Sequence, residues 1–150
     1  MIWQYNVRVV VMLTNVVEVH QDRFTSIKCN KYWPDSIGDA KKFGDLKVQL
    51  FDRAEVSGAK LDCHVAMLTL SPCQAPNYCV RKLDVTKVGG VAGENRVIIH
   101  LQLTDWPDRA APGHAGHLVQ LVQLTQVMLN TGTAAPQAPG GPLLVHCRSV

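Results

Sequence analysis

The sequence predicts an α/β fold whose sheet is at least partly parallel toward its C-terminal end. Three observations lead there. Short apolar runs with strand character are separated by long connections. One extended stretch, residues 115–130, carries helical rather than strand periodicity. The last apolar run, Leu143-Leu144-Val145, delivers a His146-Cys147 pair to its carboxyl end. In open α/β sheets ligands bind outside the carboxyl ends of strands, where the next helix offers free backbone N–H groups.

Taken in order, residues 8–14 (Arg8-Val9-Val10-Val11-Met12-Leu13-Thr14) are apolar and largely β-branched on both parities, as in a strand buried on both faces. Residues 15–26 are polar and read as a loop. Residues 46–51 alternate apolar and polar, as do residues 78–85, giving two half-buried strands. Residues 89–93, Gly-Gly-Val-Ala-Gly, form a turn, and residues 96–101 a further strand. In the helix, Gln120, Gln123, Gln126 and Asn130 recur every three or four positions. They predict a narrow wet stripe on an otherwise buried helix. Residues 132–141, rich in Ala, Pro and Gly, form a loop, and residues 142–146 the final strand. There is no internal repeat.

The 150 residues are 47% apolar and 18% charged, with a mean hydropathy of +0.03, as expected of one domain with a real core. A formal charge of +3, with no block of like charge, gives no reason to expect nucleic-acid binding. The longest strongly apolar run, Val9 to Leu13, is far too short to span a membrane, so this segment is not expected to insert in one. The N-terminus has no signal-peptide pattern. The five cysteines include no Cys-x-x-Cys pair, which points to a reducing compartment and away from a disulfide framework. Cys63, His64, Cys73 and Cys79 fit no structural zinc spacing, so no metal is expected. From Ala110 to Cys147 there is no Asp, Glu, Lys or Arg, so much of that stretch should pack inside something.

The chemistry concentrates in two runs. Thr104-Asp105-Trp106-Pro107-Asp108 places a carboxyl group on a loop after a strand, and Val145-His146-Cys147 places a thiol at a strand end. With Val9 to Thr14, Lys28-Cys29-x-x-Tyr32-Trp33-Pro34, Tyr78-x-Val80-Arg81 and Met1-Ile2-Trp3-Gln4, these runs resemble the protein-tyrosine phosphatase family, piece by piece and in order. The resemblance implies a twisted mixed sheet flanked by helices and no cofactor. It implies Cys147 as a thiolate nucleophile toward phosphorus and Asp108 as general acid and then base. Pro107 would stiffen the acid loop, and Trp106 would be the side chain on which it swings. Phosphotyrosine-containing proteins are the implied partners, and the location is cytoplasmic or the intracellular part of a receptor. Trp33 is expected to be a structural anchor, Cys29 core packing, and His114 and His117 helix-start solvation or packing.

The chain also departs from the family pattern. The signature runs Cys, five residues, Arg, whereas Cys147 is followed by Arg148-Ser149-Val150. Residues 1–150 thus correspond to the central part of the domain, without the N-terminal phosphotyrosine-recognition segment or the C-terminal phosphate loop and helices. The match thins from Asp52 to Asn77, as an insertion or a mis-assembled gene would produce. The chain alone is expected to be inactive. The alternative reading is a catalytically dead phosphatase-like binding module, and a further one is a truncated product with no stable function.

Overall fold

A computed structural model of the chain describes residues 1–19, 25–58, 75–90, 94–104, 106, 115–131 and 141–148. Its centre is a six-stranded sheet ordered β4-β5-β6-β7-β1-β8, in which β1 is Val9–Met12, β4 Ala40–Phe43, β5 Leu46–Gly58, β6 Ala75–Lys87, β7 Asn95–Leu103 and β8 Leu144–His146. β1 runs parallel to both β7 and β8, while β4 to β7 pair antiparallel, so the sheet is mixed. The expected parallel character at the C-terminal end is therefore present. A separate two-stranded sheet joins β2 (Val17–Val19) to β3 (Thr25–Ile27), and one helix, α1, spans Ala115–Thr131.

The burial of β1 follows its composition. All four residues are buried because alternate side chains enter different cores. Val9 and Val11 pack with Leu101, Leu103, Tyr78 and the α1 residues Leu121, Leu124 and Met128. Val10 and Met12 face the other way, onto Trp33, Leu50, Leu83, Val85 and Ile98. The sheet thus has α1 on one face, and the N-terminal turn and residues 28–34 on the other. Trp33, buried in the second core, is the anchor its motif suggested.

Several expectations need correction. Residues 15–26 are not simply a loop: β2 and β3 pair there, Val17 opposite Ile27. β4 was not anticipated, because Ala40-Lys41-Lys42-Phe43 lacks β-branched residues and earns its pairing only as an edge partner of β5. β5 and β6 are each 13 residues long, well beyond the alternating segments, and continue as a two-stranded ribbon with register shifts at Leu50/Asp52 and Val56/Gly58. β8 is shorter than residues 142–146. The helix is where the periodicity placed it, but its wet face is not narrow. Leu118, Val119 and Val122 are exposed alongside Gln123 and Gln126, and the buried arc is Leu121, Leu124, Thr125 and Met128. One sheet face can cover only part of a helix's circumference. Polar Thr125 enters that arc by bonding its hydroxyl to the Leu121 carbonyl at 2.7 Å.

The entry to β8 depends on close backbone approach. Gly141 donates its N–H to the Asn6 carbonyl at 2.8 Å, and a Cβ at this glycine would collide with the Tyr5 carbonyl oxygen. Asn6 itself takes a left-handed conformation, φ 53°, which asparagine tolerates better than most residues. This junction fixes where the last strand begins.

Candidate active site

Parallel pairing brings the carboxyl ends of β7, β1 and β8 to one edge of the sheet. In register, Met12 lies beside Gln102 on one side and His146 on the other. The chain leaving β1 is tied to the chain leaving β7 by two side-chain bonds. Gln102 Nε2 donates to the Thr14 carbonyl at 3.0 Å, and Asn15 Nδ2 donates to the Thr104 carbonyl at 2.7 Å. Sequence reading missed both; a polar Gln102 between Leu101 and Leu103 was the available signal. The Leu13 N–H in turn donates to the His146 carbonyl at 2.9 Å, which fastens the end of β8 to β1.

Of the expected site residues, Cys147 lies just past β8 as an exposed free thiol, where the chain bends away from the sheet. Trp106 is half-buried and packs against the core that β1 shares with α1. Pro107 and Asp108 lie outside the described residues, as do Cys63, His64, Cys73 and His114. Through the parallel strands, the structure brings Trp106, which follows β7, and the Cys147 thiol, which follows β8, to the same end of the sheet.

Behind Cys147, on the Trp33 face of the sheet, sits a buried polar and aromatic cluster. His146 Nε2 is 2.7 Å from the Tyr32 hydroxyl, and His146 Nδ1 is 3.1 Å from the Cys147 carbonyl oxygen. Burial pushes the Tyr32 phenol well above its usual range, so it keeps its proton. Arg81, buried in the sheet, donates to His100 Nδ1 at 3.2 Å and to Gln102 Oε1 at 2.9 Å, with its guanidinium 4.5 Å from the centre of the Trp33 ring. Because arginine only donates, His100 must offer a lone pair at Nδ1. Burial first, then the Arg81 charge, depress its pKa to about 3, so it stays neutral. A cavity of about 660 Å³ opens on this face, with Trp3, Cys29, Tyr32, Leu144, His146 and Arg148 among its walls. Among the described residues, no group of three His, Cys, Asp or Glu side chains is placed to hold a metal ion.

Comparison with known proteins accounts for this arrangement. The sequence model of the family described as Protein-tyrosine phosphatase matches residues 1–149. The chain belongs to the protein-tyrosine phosphatase family. Among curated proteins it is 29% identical over 150 residues to tyrosine-protein phosphatase 69D of Drosophila melanogaster. It is 27% identical over 147 residues to receptor-type tyrosine-protein phosphatase C of Homo sapiens and 26% to receptor-type tyrosine-protein phosphatase U of Gallus gallus. Each match covers 98% of this chain, which in turn spans only 8 or 9% of the length of these relatives. Family membership and the mixed sheet with its helix agree with each other and with the motif order in the sequence.

Proposed function

We propose that the chain is the central part of a phosphatase domain that hydrolyses phosphotyrosine in proteins through a phosphocysteine intermediate. The observation that carries this reading is the position of Cys147, exposed at the carboxyl end of β8 and beside the ends of β1 and β7. The Cys147 thiolate attacks phosphorus, the bond from phosphorus to the tyrosine oxygen breaks, and Asp108 gives its proton to the departing phenolate. Water then attacks phosphorus while the Asp108 carboxylate takes its proton. The sulfur–phosphorus bond breaks, and inorganic phosphate leaves with the thiolate restored. Trp106, half-buried in the α1-side core, would anchor the hinge from which Pro107 and Asp108 swing.

A phosphoryl group in transfer also needs a preorganised cluster of donors around its equatorial oxygens. Arg148 is adjacent to Cys147, and a planar fork gripping two phosphate oxygens must come from a residue further along. The 150-residue chain expressed alone is therefore expected to turn over p-nitrophenyl phosphate negligibly. In this reading the parent protein works in the cytoplasm or in the intracellular part of a receptor, on phosphotyrosine proteins as its partners.

The test uses this chain continued after Cys147 by a family-type phosphate loop and C-terminal helices. That protein should hydrolyse p-nitrophenyl phosphate, Cys147→Ser should abolish turnover, and Asp108→Ala should lower kcat far more than it raises KM. Undiminished turnover in Cys147→Ser would overturn the mechanism. Equal effects on kcat and KM in a folded Asp108→Ala protein would make Asp108 structural.

A further inference from the structure

Toward the end of the sheet opposite β8, the Trp33 face carries a group of cations that the phosphatase reading does not use. They come from four places in the fold: Lys31 from residues 28–34, Lys41 from β4, Arg53 from β5 and Arg81 from β6. Register puts them on one face. Arg53 is the Cα partner of Arg81, and Lys41 is the partner of Val48, which packs into the Trp33 core. Lys41 Nζ donates to the Lys31 carbonyl at 3.4 Å. The Lys31 ammonium and the Arg81 guanidinium lie 5.9 Å and 4.5 Å from the centre of the Trp33 ring. Like charges directly opposite on neighbouring strands cost stability, and the carboxylates nearby relieve this only in part. Lys31 pairs with Asp35 and Arg53 with Glu55, yet these acid side chains are 73% and 67% exposed. Ion pairs so exposed contribute only about 0–1 kcal/mol, so either acid can swing out. Among the described residues, neither Lys41 nor Arg81 has a carboxylate within ion-pair distance. Arg81 donates instead to His100 and Gln102, and its buried Nε meets no acceptor there. Lys31 reports the balance. Even with Asp35 bonded, its ammonium is held below its ordinary range, by burial first and then by Lys41, Arg81 and Arg53.

We propose that Lys31, Lys41 and Arg53 bind a tetrahedral oxyanion of the phosphate class, either free or carried on a protein. An arriving dianion turns mutual repulsion among these cations into attraction toward one centre. The planar fork of Arg53 can take two of its oxygens, and the two ammonium groups the others. Buried Arg81 adds its charge from beneath without touching the ligand. The site stands apart from Cys147. In the sheet order β5 lies four strands from β8, about 19 Å away at the usual strand spacing. The site therefore reads a charged group other than the one being hydrolysed, and it does not depend on Cys147 being the nucleophile.

The test is equilibrium dialysis of the 150-residue chain against radiolabelled inorganic phosphate in about 0.15 M chloride, where charges more than about 8 Å apart are largely screened. The chain should bind phosphate saturably, and Lys41→Gln and Arg53→Gln should each weaken binding several-fold. The two variants act on different strands, so either one alone decides. Lys42→Gln is the control. Lys42 adjoins Lys41 but points to the other face of the sheet, opposite Lys47, so this variant loses the same charge and should keep its affinity. A phosphoserine peptide forms the second arm. Tighter binding than inorganic phosphate assigns the site to phosphoproteins, and equal or weaker binding assigns it to the free ion. A loss in Lys42→Gln equal to that in Lys41→Gln would overturn the inference, by reducing the effect to net charge. So would the absence of saturable binding, or undiminished affinity in Lys41→Gln and Arg53→Gln, which would put the anion elsewhere. Turnover enters none of these readouts, so failure of the nucleophile reading through Cys147→Ser would be seen separately.

Discussion

His100 shows what a single residue contributes at the back of this site. It is fully buried, accepts a hydrogen bond from Arg81, and its Nε2 meets no hydrogen-bond partner among the described residues. Protonation would put a second cation against Arg81 in a dry interior, and for this reason its pKa falls to about 3. In the unfolded chain it titrates near 6.5, so the unfolded state binds the extra proton first. Its neutral form supports the fold fully above about pH 6.5, and that support drains away as pH falls toward 3, at about 1.4 kcal/mol per pH unit. His100→Asn, which keeps an acceptor toward Arg81, should flatten the fall in stability between pH 6.5 and 4.5 by about one proton's worth. Urea unfolding followed by tryptophan fluorescence at the two pH values measures this; parallel pH dependences in both proteins would contradict it. Residues like this are hard to see in a sequence. His100 reads there as one polar residue in a strand, and only the pairing of β6 with β7 puts Arg81 opposite it. Cys147 and Trp106 were legible because short motifs name them. Tyr32 was visible only as part of a motif, since its link to His146 bridges elements remote in sequence.

At the scale of elements, α1 and β8 behave differently from what their composition suggested. Both are apolar, and the sequence argued that both are buried nearly all round. In the structure α1 buries one arc, and β8 lies at the sheet edge with Leu143 and Val145 exposed. Hydropathy reports that a face wants covering; it does not report what covers it. The missing strands have a similar cause. β2, β3 and β4 are three or four residues long and owe their form to a partner rather than to local propensity. By contrast, β1, β7 and α1 were legible because burial and periodicity agree within each segment. The two arcs of α1 should separate cleanly under mutation. Leu121→Ala removes a buried side chain and should cost about 2–4 kcal/mol, whereas Val122→Ala should change stability by less than about 0.5 kcal/mol. Chemical denaturation of the two variants decides this, and equal losses would mean that Val122 is covered in solution.

For the whole molecule, Leu118, Val119 and Val122 on α1 and Val145 on β8 lie on the same side of the sheet and are all exposed. Contiguous bare apolar area of several hundred Å² is uncommon on soluble monomers and favours association. Among the described residues no strand pairs with the outer edge of β8, which adds backbone groups open to another chain. The 150-residue chain expressed alone should therefore self-associate and bind ANS, and Val122→Lys with Val145→Lys should reduce both. Analytical ultracentrifugation showing a sharp monomer for the unmodified chain would refute this. The position of β1 has a further consequence, for synthesis. Among the described residues β1 is paired in parallel on both sides and precedes both partners in the chain: Val10 aligns with His100 on one side and with Leu144 on the other. At about 5–20 residues per second, its second partner emerges from the ribosome on the order of ten seconds after it does. Throughout that interval Val9-Val10-Val11-Met12, buried along its whole length in the finished fold, is a bare hydrophobic ribbon tethered to a translating ribosome, and hence a natural substrate for chaperones that bind nascent chains.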